Sequence, residues 1–156
     1  MLLRRIGVFV ATGAGVGFAP VAPGTFGSAL GLAVFYAVRL QRSTIVEAAS
    51  IVLLVGVAVW SATEAERHFG TIDPGPIVVD EVVGMLLTLA FVPVNLAGAG
   101  VAFVVFRLLD VVKPWPARRL ERLPGGLGVV LDDVMAGAYG NLVMWGLVRL
   151  LPASLT

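Results

Sequence analysis

Residues Arg107–Asp133 read RLLDVVKPWPARRLERLPGGLGVVLDD. This is the longest polar interval in the chain, and an apolar segment flanks it on either side. Asp110 and Lys113 stand near its start, Asp132 and Asp133 at its end. Carboxylates at the boundary of an apolar helix, with cations between them, suit a site for a metal ion and a phosphate. The rest of the chain must then bring other polar loops to the same place.

The composition sets the environment. The chain has 156 residues, the length of one domain (1–156). Only 13% are charged and 58% are hydrophobic, with a mean hydropathy of +0.97. Soluble domains carry about 25% charged residues, so the chain is expected to be membrane-embedded. A net charge of +1 gives no field for nucleic acid. The absence of cysteine excludes disulfides, thiolate metal sites and cysteine nucleophiles. Arg4, Arg5 and the run Ile6–Val10 imitate a signal peptide, but Gly13, Gly15, Gly17, Pro20 and Pro23 disrupt the cleavage region, so retention is expected.

Working outward, the sequence predicts an all-α, membrane-associated bundle of about six helices. Residues 1–12 form a short apolar helix. Residues 13–28 (GAGVGFAPVAPGTFGS) form a loop with accessible amides, able to cradle phosphate or simply to turn, and Ser28 caps a helix over 29–40. A long helix covers 44–63, with Glu47 facing water or headgroups, and a polar connection follows at Glu64, Glu66, Arg67 and His68. Asp80 and Glu81 precede the apolar run 82–92, and the last helix covers 134–151.

Residues 82–106 pose a choice. One straight helix would separate its ends by ~37 Å and place Asp80 and Asp110 on opposite membrane faces. A hairpin turning at Pro93–Asn95 returns them to one face, and is expected here. The loops 13–28, 63–81 and 107–133 then converge on one face, with Glu64, Glu66, Asp73, Asp80, Glu81, Asp110, Glu121, Asp132 and Asp133; Glu47 alone is opposite. On this layout Arg4, Arg5, Arg39, Arg42 and Arg149 oppose Arg67, Arg107, Lys113, Arg118, Arg119 and Arg122, and the near-tie leaves orientation open.

Each candidate has a plainer role available. An acidic pair before a helix can cap its amides. Two such pairs exceed that need, since a second carboxylate beside the first adds repulsion unless a cation is bound. Arg107 and Asp110, three apart, can form a local ion pair. Lys113, before Pro114, either snorkels to the interface or reaches into the polar loop as a phosphate ligand. Arg118, Arg119 and Arg122 read as a basic membrane-surface face, Trp115 as an interfacial anchor, and the lone His68 as an interfacial residue. All-oxygen ligands favour a hard cation such as magnesium or manganese, and such a metal beside a basic group favours phosphoryl chemistry.

Four stretches carry a resemblance: GFAPVAPGTFGS (17–28), DPGPIVVDEVVG (73–84), FRLLDVVKPWP (106–116) and GGLGVVLDDVMAG (125–137). Together, and in this order, they resemble phosphatidylglycerophosphatase A. The resemblance implies a magnesium-dependent bacterial enzyme of the cytoplasmic membrane. It would hydrolyse phosphatidylglycerophosphate to phosphatidylglycerol and phosphate through metal-activated water, with its loops on the cytoplasmic face. By motif, Asp80, Glu81, Asp110, Asp132 and Asp133 would bind metal and activate water. Lys113, Arg107 and the Pro23-Gly24-Thr25 loop would hold the phosphate, with Asp73 and Glu64 behind them. The alternatives are a phosphatase for another lipid or small phosphate ester, and a non-enzymatic membrane subunit. Oligomeric state stays open, although Gly27, Gly31, Gly98 and Gly100 would permit close helix packing.

Overall fold

The computed structural model describes residues 1–156 and is all-helical. Its helices are α1 (Leu2–Ala11), α2 (Pro23–Arg39), α3 (Thr44–Phe69), α4 (Val79–Thr88), α5 (Leu96–Val112), α6 (Ala117–Leu120), α7 (Gly126–Leu150) and α8 (Pro152–Leu155). A 3-10 turn, Val16–Phe18, lies between α1 and α2. The short α6 and α8 account for the excess over six.

The expected hairpin is present. α4 and α5 are joined by residues 89–95, and the Asn95 side chain caps α5 by accepting from the Gly98 amide at 2.9 Å. α4 is the centre of the bundle: eight of its ten residues are buried, and beyond the acidic first turn its sequence is almost wholly apolar. It packs on α2, α3, α5 and α7.

Glycine makes that packing close. β-Carbons at Gly27 and Gly31 of α2 would meet Val78 and Met85, and one at Gly137 of α7 would meet the Gly84 carbonyl. Gly27 and Gly31 thus serve packing within the chain; Gly98 lies against the Leu155 carbonyl and Gly100 faces open space.

Several helices begin or end elsewhere than the sequence predicts. α2 starts at Pro23, six residues before Ala29, because proline suits the first helical position. Ser28 is therefore no cap: it is buried within α2 and its hydroxyl donates to the Gly24 carbonyl at 2.9 Å. α3 runs on to Phe69, so Glu64, Glu66, Arg67 and His68 belong to its last turns. α7 starts at Gly126, eight residues before Val134. Its glycines permit close approach rather than breaking the helix: the Gly126 amide donates to Thr63 Oγ1 at 3.0 Å, with the Val59 carbonyl alongside.

α3 and α7 are long and apolar enough to cross a membrane, spanning ~39 Å and ~37 Å at 1.5 Å per residue. Ile45, Val52 and Leu53 of α3 are all exposed, a contiguous apolar face of the kind that meets lipid or a partner. Glu47 does not face solvent as expected. It is buried, accepts from the Phe91 amide at 2.8 Å and lies 3.7 Å from Arg39, closing the end away from Asp80.

Asn141, a lone amide in an apolar stretch, ties α7 to the hairpin. Its side-chain nitrogen donates to the carbonyls of Leu87, Thr88 and Ala90, at 3.1, 3.3 and 2.9 Å, the open C-terminal end of α4. Asn141→Ala should lower stability by ~1–3 kcal/mol, the cost of leaving such groups unmet. The check is the thermal unfolding midpoint in detergent, beside a substitution at exposed Leu142.

Candidate functional site

Five carboxylates gather at one end of the bundle. Asp80 and Glu81 come from the first turn of α4, Asp110 from the end of α5, and Asp132 and Asp133 from two turns inside α7. Their position within α7 removes the capping role for the second pair. Asp80, Asp132 and Asp133 are buried, and the Glu81 side chain is 14% exposed.

Two cations reach three of the five acids. Arg107 donates to Asp110 Oδ2 at 2.6 Å and lies 3.8 Å from Glu81 Oε1. Lys113 ends α5 in the left-handed region (φ 48°), and its ammonium reaches Asp132 at 2.6 Å and Glu121 at 3.1 Å. Lys113 therefore neither snorkels nor stands free in the loop. Burial pulls its ammonium down, but the bond to Asp132 and the charges of Asp132 and Glu121 outweigh this and raise it above its ordinary value.

Asp80, Glu81 and Asp133 are left without a full answer. One oxygen from each lies within 4.8 Å of the others. Asp80 Oδ1, Glu81 Oε2 and Asp133 Oδ2 are buried with no hydrogen-bond partner, as is Asp132 Oδ1. Burial first, then the charges of Glu81 and Asp133, push Asp80 well above its ordinary range. Burial also raises Glu81, against the lowering effect of the Arg107 charge. Such groups stay ionised together only around a cation. Three hard oxygen donors fit a divalent ion of the magnesium or manganese type.

Gly24 adjoins this cluster: a β-carbon there would run into Glu81 Oε1 and the Arg107 guanidinium. The start of α2, the positive end of its dipole, thus faces the carboxylates. Thr25 lies beside Arg107 in a groove wall. Asp73 is exposed; its amide donates to Glu66 at 3.0 Å, and it shares a cavity of about 310 Å³ with Glu66 and Glu121. Glu64 is turned away, paired with Arg67 at 2.7 Å under α1. Glu121, which the sequence reading assigns only to the polar face, is the second partner of Lys113. Its distance from Asp132 along the chain hid that role.

The match to known proteins agrees with this arrangement. The family model for phosphatidylglycerophosphatase A covers residues 9–148. The chain belongs to the phosphatidylglycerophosphatase A family. The phosphatidylglycerophosphatase A of Escherichia coli K12 is 36% identical, over 87% of this chain and 80% of that protein. The Haemophilus influenzae protein of that name is 35% identical, over 88% and 86%. A Bacteroides thetaiotaomicron protein provisionally named a phosphatidylinositol-3-phosphatase is 38% identical, over 88% and 90%. No solved structure matches the chain. A member of the phosphatidylglycerophosphatase A family is a phosphatase, a hydrolase of phosphoric monoesters, and the non-enzymatic subunit is set aside.

Asp80 and Glu81 make stability depend on pH. Their folded pKa values are raised, so between the ordinary 3.8 and 4.5 and those higher values the folded chain holds more protons than the unfolded one. Protein stripped of divalent ions with EDTA should therefore lose stability as pH rises through that window. Magnesium or manganese added at neutral pH should restore it. Unfolding midpoints across pH, with and without metal, check both signs.

Proposed function

We propose that the chain, acting as one domain over residues 1–156, hydrolyses phosphatidylglycerophosphate to phosphatidylglycerol and inorganic phosphate with magnesium, in phospholipid biosynthesis. The observation that carries this reading is the trio Asp80, Glu81 and Asp133, with buried oxygens unanswered and Arg107 and Lys113 on either flank. Magnesium held by that trio would neutralise phosphate charge and make a water acidic enough to serve as nucleophile.

The other residues have defined tasks. Arg107 and the start of α2 at Gly24 and Thr25 lie where a phosphate would need positive potential. Asp110 holds the Arg107 guanidinium at 2.6 Å, and Asp132 holds Lys113 at 2.6 Å, so both cations are oriented before substrate arrives. In the reaction the water oxygen bonds to phosphorus, the ester P–O bond breaks, and the glycerol oxygen leaves with a proton. The name of the Bacteroides relative favours one second reading, a phosphatidylinositol 3-phosphate substrate on the same site.

Phosphate release by detergent-purified protein tests the function. Phosphatidylglycerophosphate should be hydrolysed with magnesium, not with EDTA, and faster than phosphatidylinositol 3-phosphate. Asp133→Asn should lower turnover by about a hundredfold or more, and Lys113→Met by about 10–100-fold, the range for residues that support a metal ligand. Undiminished turnover in Asp133→Asn would remove α7 from the metal site.

The fold also bears on orientation. Arg4 donates to the Arg67 carbonyl at 2.8 Å, so α1 lies at the carboxylate end, not opposite it. Only Arg39, Arg42 and Arg149 then remain at the far end, near the Glu47 and Asn95 contacts. This bias of basic residues toward the carboxylate end supports an orientation with the carboxylates on the cytoplasmic face of the bacterial membrane. The chain has no cysteine of its own. In spheroplasts, a membrane-impermeant maleimide should label Gln41→Cys and spare Arg122→Cys until the membrane is opened.

A further inference from the structure

The apolar wall of the groove between α2 and α5 has no part in the chemistry above. Its volume is about 430 Å³, and it is lined by Thr25 with Phe103, Val104, Arg107, Leu108 and neighbouring valines of α5. Val104, Leu108 and Val111 recur at i, i+4 and i+7, an exposed apolar stripe ~10 Å long. Phe26 of α2 is also exposed, at 53%. The two polar residues of the groove are those nearest the carboxylates. Arg107 lines it and also contacts Asp110 and Glu81, while Thr25 adjoins Gly24, which touches both Glu81 and Arg107.

A second apolar groove provides the comparison. It lies on α3, also about 430 Å³, lined by Val52, Leu53, Gly56, Val57 and Trp60. It has no charged lining residue and no continuity with the carboxylates, as expected of a surface that merely meets bulk lipid. The α2–α5 groove differs in opening onto Arg107.

We propose that the α2–α5 groove seats one acyl chain of the phospholipid substrate, with Arg107 at the point where apolar chain gives way to anionic headgroup. This rests on the lipid-phosphatase reading above and adds to it the route of entry. The headgroup passes laterally between α2 and α5 toward Asp80, Glu81 and Asp133, while the chain stays along Val104 and Leu108. Contacts with the chain, remote from the reacting phosphorus and alike in ground and transition state, would then set affinity for the lipid.

The test compares long-chain with short-chain phosphatidylglycerophosphate, which share one headgroup, in the same detergent with magnesium. Val104→Trp and Leu108→Trp would fill the groove; Val52→Trp fills the α3 groove as control. The expected result is a KM for the long-chain lipid raised about tenfold in the α5 variants, with kcat little changed. Short-chain kinetics should stay at the parent level, which also reports an intact fold, and Val52→Trp should match the parent on both. Leu108→Ser, which removes apolar surface without adding bulk, should likewise raise only the long-chain KM. Equal losses on both substrates, no loss on either, or an equal loss in the α3 control would overturn the groove assignment. So would a changed mass of the detergent complex in the α5 variants, which would give the face to a second copy of the chain. A parent protein that hydrolyses neither lipid would overturn the lipid-phosphatase reading itself, a failure visible before any variant is made.

Discussion

The close approach of α4 and α7 is the constraint on which the site depends. At their crossing Gly84 meets Gly137 with no side chain between them, and a β-carbon at Gly137 would strike the Gly84 carbonyl. Asp80 lies four residues before Gly84, and Asp133 four before Gly137. In a helix that offset is one turn along the same face. The contact that lets the backbones meet therefore also brings the two carboxylates together. Residues with side chains at the crossing would move the helices apart and separate Asp80 from Asp133.

Such an arrangement stores repulsion. Six acids, counting Glu121, share the region with two bases, and the bases are committed by geometry, Arg107 to Asp110 and Glu81, Lys113 to Asp132 and Glu121. The surplus negative charge settles on the most buried members. Buried charge without a partner is strongly unfavourable, so the trio calls either for protons or for a cation. The hydrogen bonds of Thr63 to Gly126, of Asn141 to the end of α4 and of Asn95 to the C-terminal residues Ser154 and Thr156 hold the elements together at points away from the carboxylates.

The two ends of the bundle differ in chemistry for related reasons. At the far end a single buried acid, Glu47, meets one amide and one arginine, and the C-terminus closes over the hairpin where Asn95 donates to the Ser154 and Thr156 carbonyls. That end is locally satisfied. The carboxylate end has unanswered oxygens, an adjoining helix start and basic side chains around it. Only there can an anionic group and a metal ion both find partners.

The all-helical, membrane-associated character was legible in the sequence, since long apolar stretches with few charges have few other ways to satisfy their backbones. So was the hairpin, because Pro93 and Asn95 interrupt an apolar run whose acidic ends need a common face. The acidic pairs themselves could be read from residue type alone. Helix limits at Pro23 and Gly126 could not. Glycine and proline signal a break locally, yet Pro23 opens a helix and Gly126 lets two backbones touch, and only the neighbouring helix determines which. The same holds for charge. Sequence supplies five carboxylates and two nearby bases, but their pairing joins residues on different helices. Which acids are neutralised, and which keep unanswered oxygens, is decided by tertiary packing, because ion pairing depends on ångström distances that spacing along the chain does not set.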